Sequence, residues 1–223
     1  MLVPRLLAAS CRAVAALALL AAAAAAGAAT VAAEQSAFAG TTLIGFDELA
    51  AGTTLNTQYA ALGIVDFNAS VSGAQANAMT QNADTFLLPG AVSGTHIAYG
   101  GASISFAAGV DRVGVWLYKG NGQHYLTALD AAQNVLLTVA ADLGSPDSEF
   151  YDFVGIASDA KNIRYVVISN KNLSADPVWD VNGMTTFYDD LRFTPIAAVP
   201  EPQTWVLMLS SLALIGVAVQ RRR

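Results

Sequence analysis

Few side chains in this sequence can do chemistry. The histidines are His96 and His124, and the one cysteine, Cys11, lies close to the first residue. Two histidines cannot build a three-histidine zinc site, and the chain beyond Cys11 offers no thiolate ligand or cysteine nucleophile. The sequence also lacks a Gly-x-Ser-x-Gly nucleophile turn and a phosphate-binding loop. We therefore predict no catalytic residues and a protein that is not an enzyme.

Adjacent carboxylates are the strongest remaining candidates for chemistry. Asp47-Glu48 lies near the start of the central segment and Asp189-Asp190 near its end. Two carboxylates that face each other across a sugar would suit glycoside hydrolysis, so an exported glycan-active hydrolase is the alternative function. Adjacent residues on a strand point to opposite faces, however, and neither pair supplies two facing carboxylates by itself.

The same four acids favour a structural calcium ion. Calcium prefers six to eight oxygen ligands, which carboxylates and backbone carbonyls supply. In a jelly roll the first and last strands often lie side by side, and strand alternation lets one acid of each pair face the shared site. We predict Glu48 and Asp190 as the metal ligands. The alternative is four solvated carboxylates at a sheet edge.

Aromatic residues offer a possible sugar-stacking surface. Trp116, Tyr118 and Tyr125 lie in apolar runs, which favours a place in the core for Trp116. Trp179 lies in a polar segment with Asp176, Pro177 and Asp180, and it is the candidate ligand-binding residue. A plain anchoring role for this loop is the alternative.

The charge balance excludes one class of partner. The chain carries 17 acidic and 11 basic residues, a net charge of −6. The basic residues of the central segment are only six: Arg112, Lys119, Lys161, Arg164, Lys171 and Arg192. Because no basic stripe is present to neutralise phosphates, we predict no nucleic-acid partner.

The first 33 residues have the pattern of a secretory signal peptide. Arg5 and Arg12 precede a long apolar run, and a stretch of small residues follows it. The Val31-x-Ala33 pattern places the cleavage before Glu34, which gives a signal peptide over residues 1–33. Ala37-x-Ala39 is a second candidate.

The last residues combine a short apolar run with a basic end. Residues 204–219 are mostly apolar and are predicted to form a single transmembrane helix, with the terminal arginines on the cytoplasmic side. Before the run, Pro200 and Pro202 keep the chain extended around one carboxylate. The sorting residues are the proline-flanked box and the basic cluster: Val199, Pro200, Glu201, Pro202, Arg221, Arg222 and Arg223.

This order of box, apolar helix and arginine cluster over residues 199–223 resembles the PEP-CTERM sorting signal. The resemblance implies an inner-membrane-anchored precursor, cleavage near the box by an exosortase-type protease, and release to the cell surface or extracellular matrix. Proteins of this kind often associate with exopolysaccharide. The resemblance concerns trafficking and leaves the activity of the central segment open.

Residues 40–196 read as one all-β domain. Short runs rich in β-branched and aromatic residues alternate with Gly, Asn, Asp and Pro, and no helical period is present. This pattern predicts an antiparallel β-sandwich, jelly-roll-like. The predicted strands are Thr42–Phe46, Ile64–Phe67, Thr85–Leu88, His96–Tyr99, Ala102–Phe106, Arg112–Tyr118, His124–Leu129, Val135–Val139, Phe150–Ile156, Ile163–Ser169 and Thr186–Phe193.

The segments between these runs predict the connections. Residues 119–122 and 130–134 each carry turn residues and are predicted to close hairpins. Residues 69–83 are small and polar and are predicted to form a long exposed loop, and the last strand is predicted to be edge-like. Gly45–Leu49 and Phe187–Phe193 resemble the first and last strands of galactose-binding-like jelly rolls, which include many carbohydrate-binding modules.

Overall fold

A computed structural model describes residues 30–71, 77–82, 90–120, 122–144, 150–170, 172 and 186–196. In these residues the chain forms two antiparallel sheets and two short 3-10 helices, Gln35–Phe38 and Ala60–Leu62. The predicted all-β sandwich is confirmed.

The first sheet has seven strands in the order β1-β10-β7-β12-β5-β4, with β2 paired to β12 outside this path. Its strands are β1 (Thr30–Ala32), β2 (Thr42–Ile44), β4 (Met79–Asn82), β5 (His96–Tyr99), β7 (Arg112–Tyr118), β10 (Tyr151–Ser158) and β12 (Phe187–Phe193).

The second sheet has five strands in the order β3-β6-β11-β8-β9. Its strands are β3 (Ile64–Asp66), β6 (Ala102–Val110), β8 (Tyr125–Leu129), β9 (Val135–Ala140) and β11 (Ile163–Ser169).

The main core lies between the two sheets. Alternation along β7 puts Val113, Val115 and Leu117 into this core, while Trp116 and Tyr118 lie on the outer face of the first sheet. Burial of such aliphatic side chains contributes roughly 1.5–3 kcal/mol each. The two faces of β7 therefore follow simple strand alternation.

One of the two predicted hairpins is present. The turn between β8 and β9 is closed by the Asp130 carboxylate, which accepts hydrogen bonds from the N–H groups of Ala132 and Asn134 at 2.8 and 2.9 Å. The hairpin predicted at residues 119–122 is wrong. That segment leads from β7 in the first sheet to β8 in the second, so the two strands do not pair.

Two local predictions are wrong. Residues 69–83 do not form one exposed loop, because Val71, Ala78 and Thr80 are buried and β4 pairs with β5. The last strand is not at an edge, because β12 pairs with β7, β5 and β2.

Several predicted features lie outside the described residues. These are the strand at residues 85–88, Trp179, the sorting residues 199–202 and 221–223, and the apolar run at residues 204–219. Within the described part of the chain, no helix has the length and hydropathy needed to cross a membrane.

Candidate functional site

The first and last strands of the predicted domain lie side by side, as the calcium hypothesis requires. β2 pairs antiparallel with β12, with Ile44 opposite Leu191 and Thr42 opposite Phe193. This pairing brings the acids that follow β2 close to the acids within β12.

Strict alternation fails in β12, and this changes which acids are buried. Between Asp189 and Arg192 the strand has one residue more than its partner β7, and Asp190 has a left-handed φ of 51°. A bulge of this kind leaves one residue unpaired and shifts the alternation that follows. Asp189 and Asp190 are both buried, and Leu191 packs in the main core.

Asp189 binds backbone N–H groups. Its Oδ2 accepts hydrogen bonds from the N–H groups of Val92 and Ser93 at 2.8 and 3.1 Å, and its Oδ1 accepts the N–H of Asp190 at 2.7 Å. Burial raises the pKa of the Asp189 carboxyl to about 7; the charge of Asp190 adds to the rise and these N–H groups oppose it.

Asp190 binds one hydroxyl and one cation. Its Oδ1 accepts a hydrogen bond from Ser93 Oγ at 2.6 Å, and its Oδ2 lies 3.3 Å from Arg192 Nη2. Gly45 makes room for this contact, because a Cβ on Gly45 would lie 3.2 Å from Ser93 Oγ and 3.6 Å from Asp190 Oδ1.

Asp47 completes a group of three acids around the segment 92–96. Its Oδ1 accepts the N–H groups of Thr95 and His96 at 2.6 and 3.0 Å. Partial burial alone would raise the pKa of Asp47, but the hydrogen bonds from Thr95 and His96 outweigh it and hold the pKa below its usual value. We call Asp47, Asp189 and Asp190 with the segment 92–96 the acid-loop cluster.

The predicted calcium ligands are not brought together in this way. Asp47, and not Glu48, has a carboxylate oxygen near Asp190, on the other side of Gly45. Glu48 is exposed and lies beside the buried phenol of Tyr59. Among the residues that the structure describes, no group of three or more His, Cys, Asp or Glu side chains is arranged to hold a metal ion. Calcium binding at Glu48 and Asp190 stays a prediction.

The two histidines occupy different environments. His124 is buried, and burial lowers its pKa to about 4. His96 Nδ1 lies 3.1 Å from Thr95 Oγ1 and 3.6 Å from Asp47 Oδ1. A nucleophile-base-acid triad uses both ring nitrogens of its histidine. Since both contacts of His96 are to Nδ1, this arrangement is not such a triad.

The outer face of the first sheet carries a layer of aromatic side chains. Trp116 is buried there, 5.5 Å from the ring of Phe153, and Val92 of the acid-loop cluster packs against the same layer. Tyr151 donates a hydrogen bond to the carbonyl of Gly90 at 2.8 Å. Trp116 is therefore part of the packed structure, as its apolar neighbours in the sequence indicate.

A groove of about 590 Å³ lies where the β8–β9 turn meets the turn before β11. It is lined by Asp130, Lys161, Asn162 and Arg164 among others, so it holds two of the six basic residues of an otherwise acidic segment. The Oδ1 atom of Asn162 is buried and has no hydrogen-bond partner among the described residues. No pattern in the sequence indicates this groove, because its residues come from separate turns.

Comparison with known proteins adds a result at the C-terminus. The family model of the PEP-CTERM protein-sorting motif matches residues 198–223, which confirms the resemblance noted in the sequence. This motif supports export of the chain and sorting by an exosortase-type system. No curated protein matches it. The crystal structure of the K2 cleaved adhesin domain of Lys-gingipain aligns over 69% of this chain and 99% of that one, at 10% identity and a TM-score of 0.40.

Proposed function

We propose that this chain carries a non-catalytic β-sandwich that binds polysaccharide at the cell surface or in the extracellular matrix. The sorting motif at residues 198–223 carries the proposal, because it follows the last strand by only a few residues. A domain joined so closely to a processing signal is the part that reaches the outside of the cell after an exosortase releases it from the inner membrane.

The acid-loop cluster supports a non-catalytic role. A glycosidase needs one carboxyl free to donate a proton and a second free to attack or to activate water. The oxygens of Asp189 and Asp190 instead accept hydrogen bonds from Val92, Ser93 and the backbone of β12, and both side chains are buried. Their contacts suit a role in fixing the loop.

The groove at Lys161 and Arg164 supports a sugar ligand. It combines cationic donors with the amide of Asn162 and the carboxylate of Asp130. Such groups hydrogen-bond to hydroxyls, and the two cations would attract the carboxylate of an acidic sugar. Trp179 remains the proposed stacking residue.

Affinity electrophoresis through gels that contain purified exopolysaccharide tests this proposal. We expect retarded migration of the released protein, and a several-fold weaker retardation for the Lys161→Ala, Arg164→Ala double variant. Lys119→Ala removes a cation outside the groove and is the matched control, expected to migrate as the wild type does. Migration unaffected by any polysaccharide would refute the ligand, and release of reducing ends during the assay would favour the hydrolase alternative.

A further inference from the structure

Residues assigned to the signal peptide by their pattern take part in the folded sheet. β1 pairs antiparallel with β10, with Thr30 opposite Ser158, Val31 opposite Ala157 and Ala32 opposite Ile156. The pairing continues one residue further, because the N–H of Ala33 donates to the carbonyl of Gly155 at 2.8 Å. Cleavage before Glu34 would remove this whole strand.

Gly155 in β10 leaves space for the backbone of Ala33, the residue before the Ala33–Glu34 bond. A Cβ at Gly155 would lie 2.3 Å from the carbonyl oxygen of Ala33 and 2.7 Å from the ring of Phe38. A glycine inside a strand weakens it, and it often marks a place where another backbone approaches closely. The neighbour of Gly155 across the ladder is Gly114, which leaves room for the same Phe38 ring. Ala33 and Phe38 therefore belong to the packed structure.

Loss of β1 would also open an edge. β10 would become the outermost strand of the first sheet, and its backbone at residues 155–158 would face solvent. Open edges of this kind invite pairing with other chains and so promote aggregation. β1 also contacts β9 of the second sheet, so it covers the side of the sandwich at this edge.

Several bonds in residues 21–39 follow small residues at the two positions that signal peptidases read. They include the bonds after Ala26-x-Ala28, Gly27-x-Ala29, Val31-x-Ala33 and Ala37-x-Ala39. Cleavage after Ala39 would remove the buried Phe38, and cleavage after Ala33 would remove β1. Cleavage after Ala29 leaves every strand of the described structure in place, and among the bonds that do so it lies nearest to β1.

We propose that signal peptidase cleaves the bond between Ala29 and Thr30, so that the mature protein begins with Thr30 and keeps β1. Water adds across this peptide bond, which leaves a carboxylate on Ala29 and an amine on Thr30. The new amine lies next to the first pairing partner, Ser158, at the end of the edge strand. The proposal depends on export of the chain and not on its ligand.

The test uses the full chain in an exporting host, with N-terminal sequencing and intact mass of the processed protein. Gly27→Asp places a charge at the third residue before the Ala29–Thr30 bond, and Val31→Asp places the same charge at the third residue before the Ala33–Glu34 bond. Val31 is an exposed residue, so the fold tolerates the change. We expect Thr30 as the first residue of the wild type and of Val31→Asp, and loss of that species in Gly27→Asp. The proposal is overturned if the wild type begins at Glu34, at Gly40 or at any residue other than Thr30, or if the leader is not cut. It is also overturned if Val31→Asp blocks cleavage and Gly27→Asp does not.

Discussion

The Asp189 Oδ2 atom lies 2.8 Å from the backbone nitrogen of Val92, although 97 residues separate the two in the chain. This contact ties the last strand to the loop before β5, and Ser93 and Asp190 form a second link beside it at 2.6 Å. The acids that the sequence presents as candidate ligands thus hold a loop in place.

Asp189 and His124 predict opposite dependences of stability on pH. The folded-state pKa of Asp189 is raised from 3.8 to about 7, so its contribution to stability is full below pH 3.8 and is lost as the pH rises towards 7. The pKa of His124 is lowered from 6.5 to about 4, so its contribution is full above pH 6.5 and is lost as the pH falls towards 4. Each effect reaches roughly 3–4 kcal/mol, and between pH 4 and 6.5 the two oppose each other.

Chemical denaturation from pH 4 to 7 measures this balance. We expect a shallow profile for the wild type, a free energy of unfolding that falls on acidification for Asp189→Asn, and one that falls on alkalinisation for His124→Gln. Two variants with the same slope as the wild type would show that neither group titrates in this window.

The contact between Gly94 and the Asp47 side chain leads us to expect that Gly94→Ala lowers the free energy of unfolding strongly. Gly94 has a φ of 62°, and a Cβ there would overlap the Asp47 carboxylate at 1.8 Å from Oδ2. Gly94→Ala must therefore displace Asp47 from the N–H groups of Thr95 and His96, in addition to the backbone strain. We expect a loss of roughly 2–4 kcal/mol in the free energy of unfolding.

Gly52→Ala is the matched control for this substitution. Gly52 also has a positive φ, 83°, but no atom lies within 4 Å of the added Cβ. The free energy of unfolding of Gly52→Ala should fall by only about 1–2 kcal/mol, because this variant carries only the strain of the left-handed conformation. Equal losses in the two variants would contradict the role given to Asp47.

We expect substitutions of Trp116 and Trp179 to affect different properties, stability for Trp116 and polysaccharide binding for Trp179. Trp116 is buried against Phe153, so Trp116→Ala should cost roughly 3–5 kcal/mol of stability. Trp179→Ala should leave the melting temperature within a few degrees of the wild type and weaken binding to polysaccharide, because stacking would be lost. Thermal melting and affinity electrophoresis on the same two variants check this. Unchanged polysaccharide binding in Trp179→Ala would favour the anchoring role of this loop.

The sequence predicts those parts of the fold that depend on local pattern. β5, β7 and β11 have the predicted bounds, because each is a run of β-branched and aromatic residues between turn residues. β4 was not predicted, since its residues Met79–Asn82 are mostly polar and gain their order from pairing with β5.

The candidate site was less predictable because it depends on exceptions to alternation. The bulge at Asp190 has no separate signal in the sequence, yet it buries two adjacent acids that alternation would place on opposite faces. The segment 92–96 had no predicted role, and its contacts with Asp47 and Asp189 arise only once β2 and β12 pair. Pairing of these two strands was predicted, and it is confirmed.

Calcium binding predicts a response in thermal unfolding. If calcium binds the native state at Glu48 and Asp190, the melting temperature of EDTA-treated protein rises as calcium is added. Glu48→Ala with Asp190→Ala should abolish the rise, and Asp47→Ala tests whether the acid nearer to Asp190 takes the place of Glu48. A melting temperature independent of calcium, or the same rise in all variants, would mean that the acids serve only the loop.

The sorting motif predicts the other end of the released protein. Cleavage near Val199–Pro202 should remove the apolar run and Arg221–Arg223, so the intact mass of surface-released protein should lack everything beyond the box. Glu201 is the only charged residue between Arg192 and the terminal arginines, and Pro200 and Pro202 flank it. It is therefore the one charged group in this segment that a protease could recognise. We expect Glu201→Ala to leave the precursor in the membrane fraction. Glu34→Ala, which removes an acid far from the box, should release normally. A released protein that still contains residues 204–223 would contradict the processing step, and normal release of Glu201→Ala would show that the protease does not require this carboxylate.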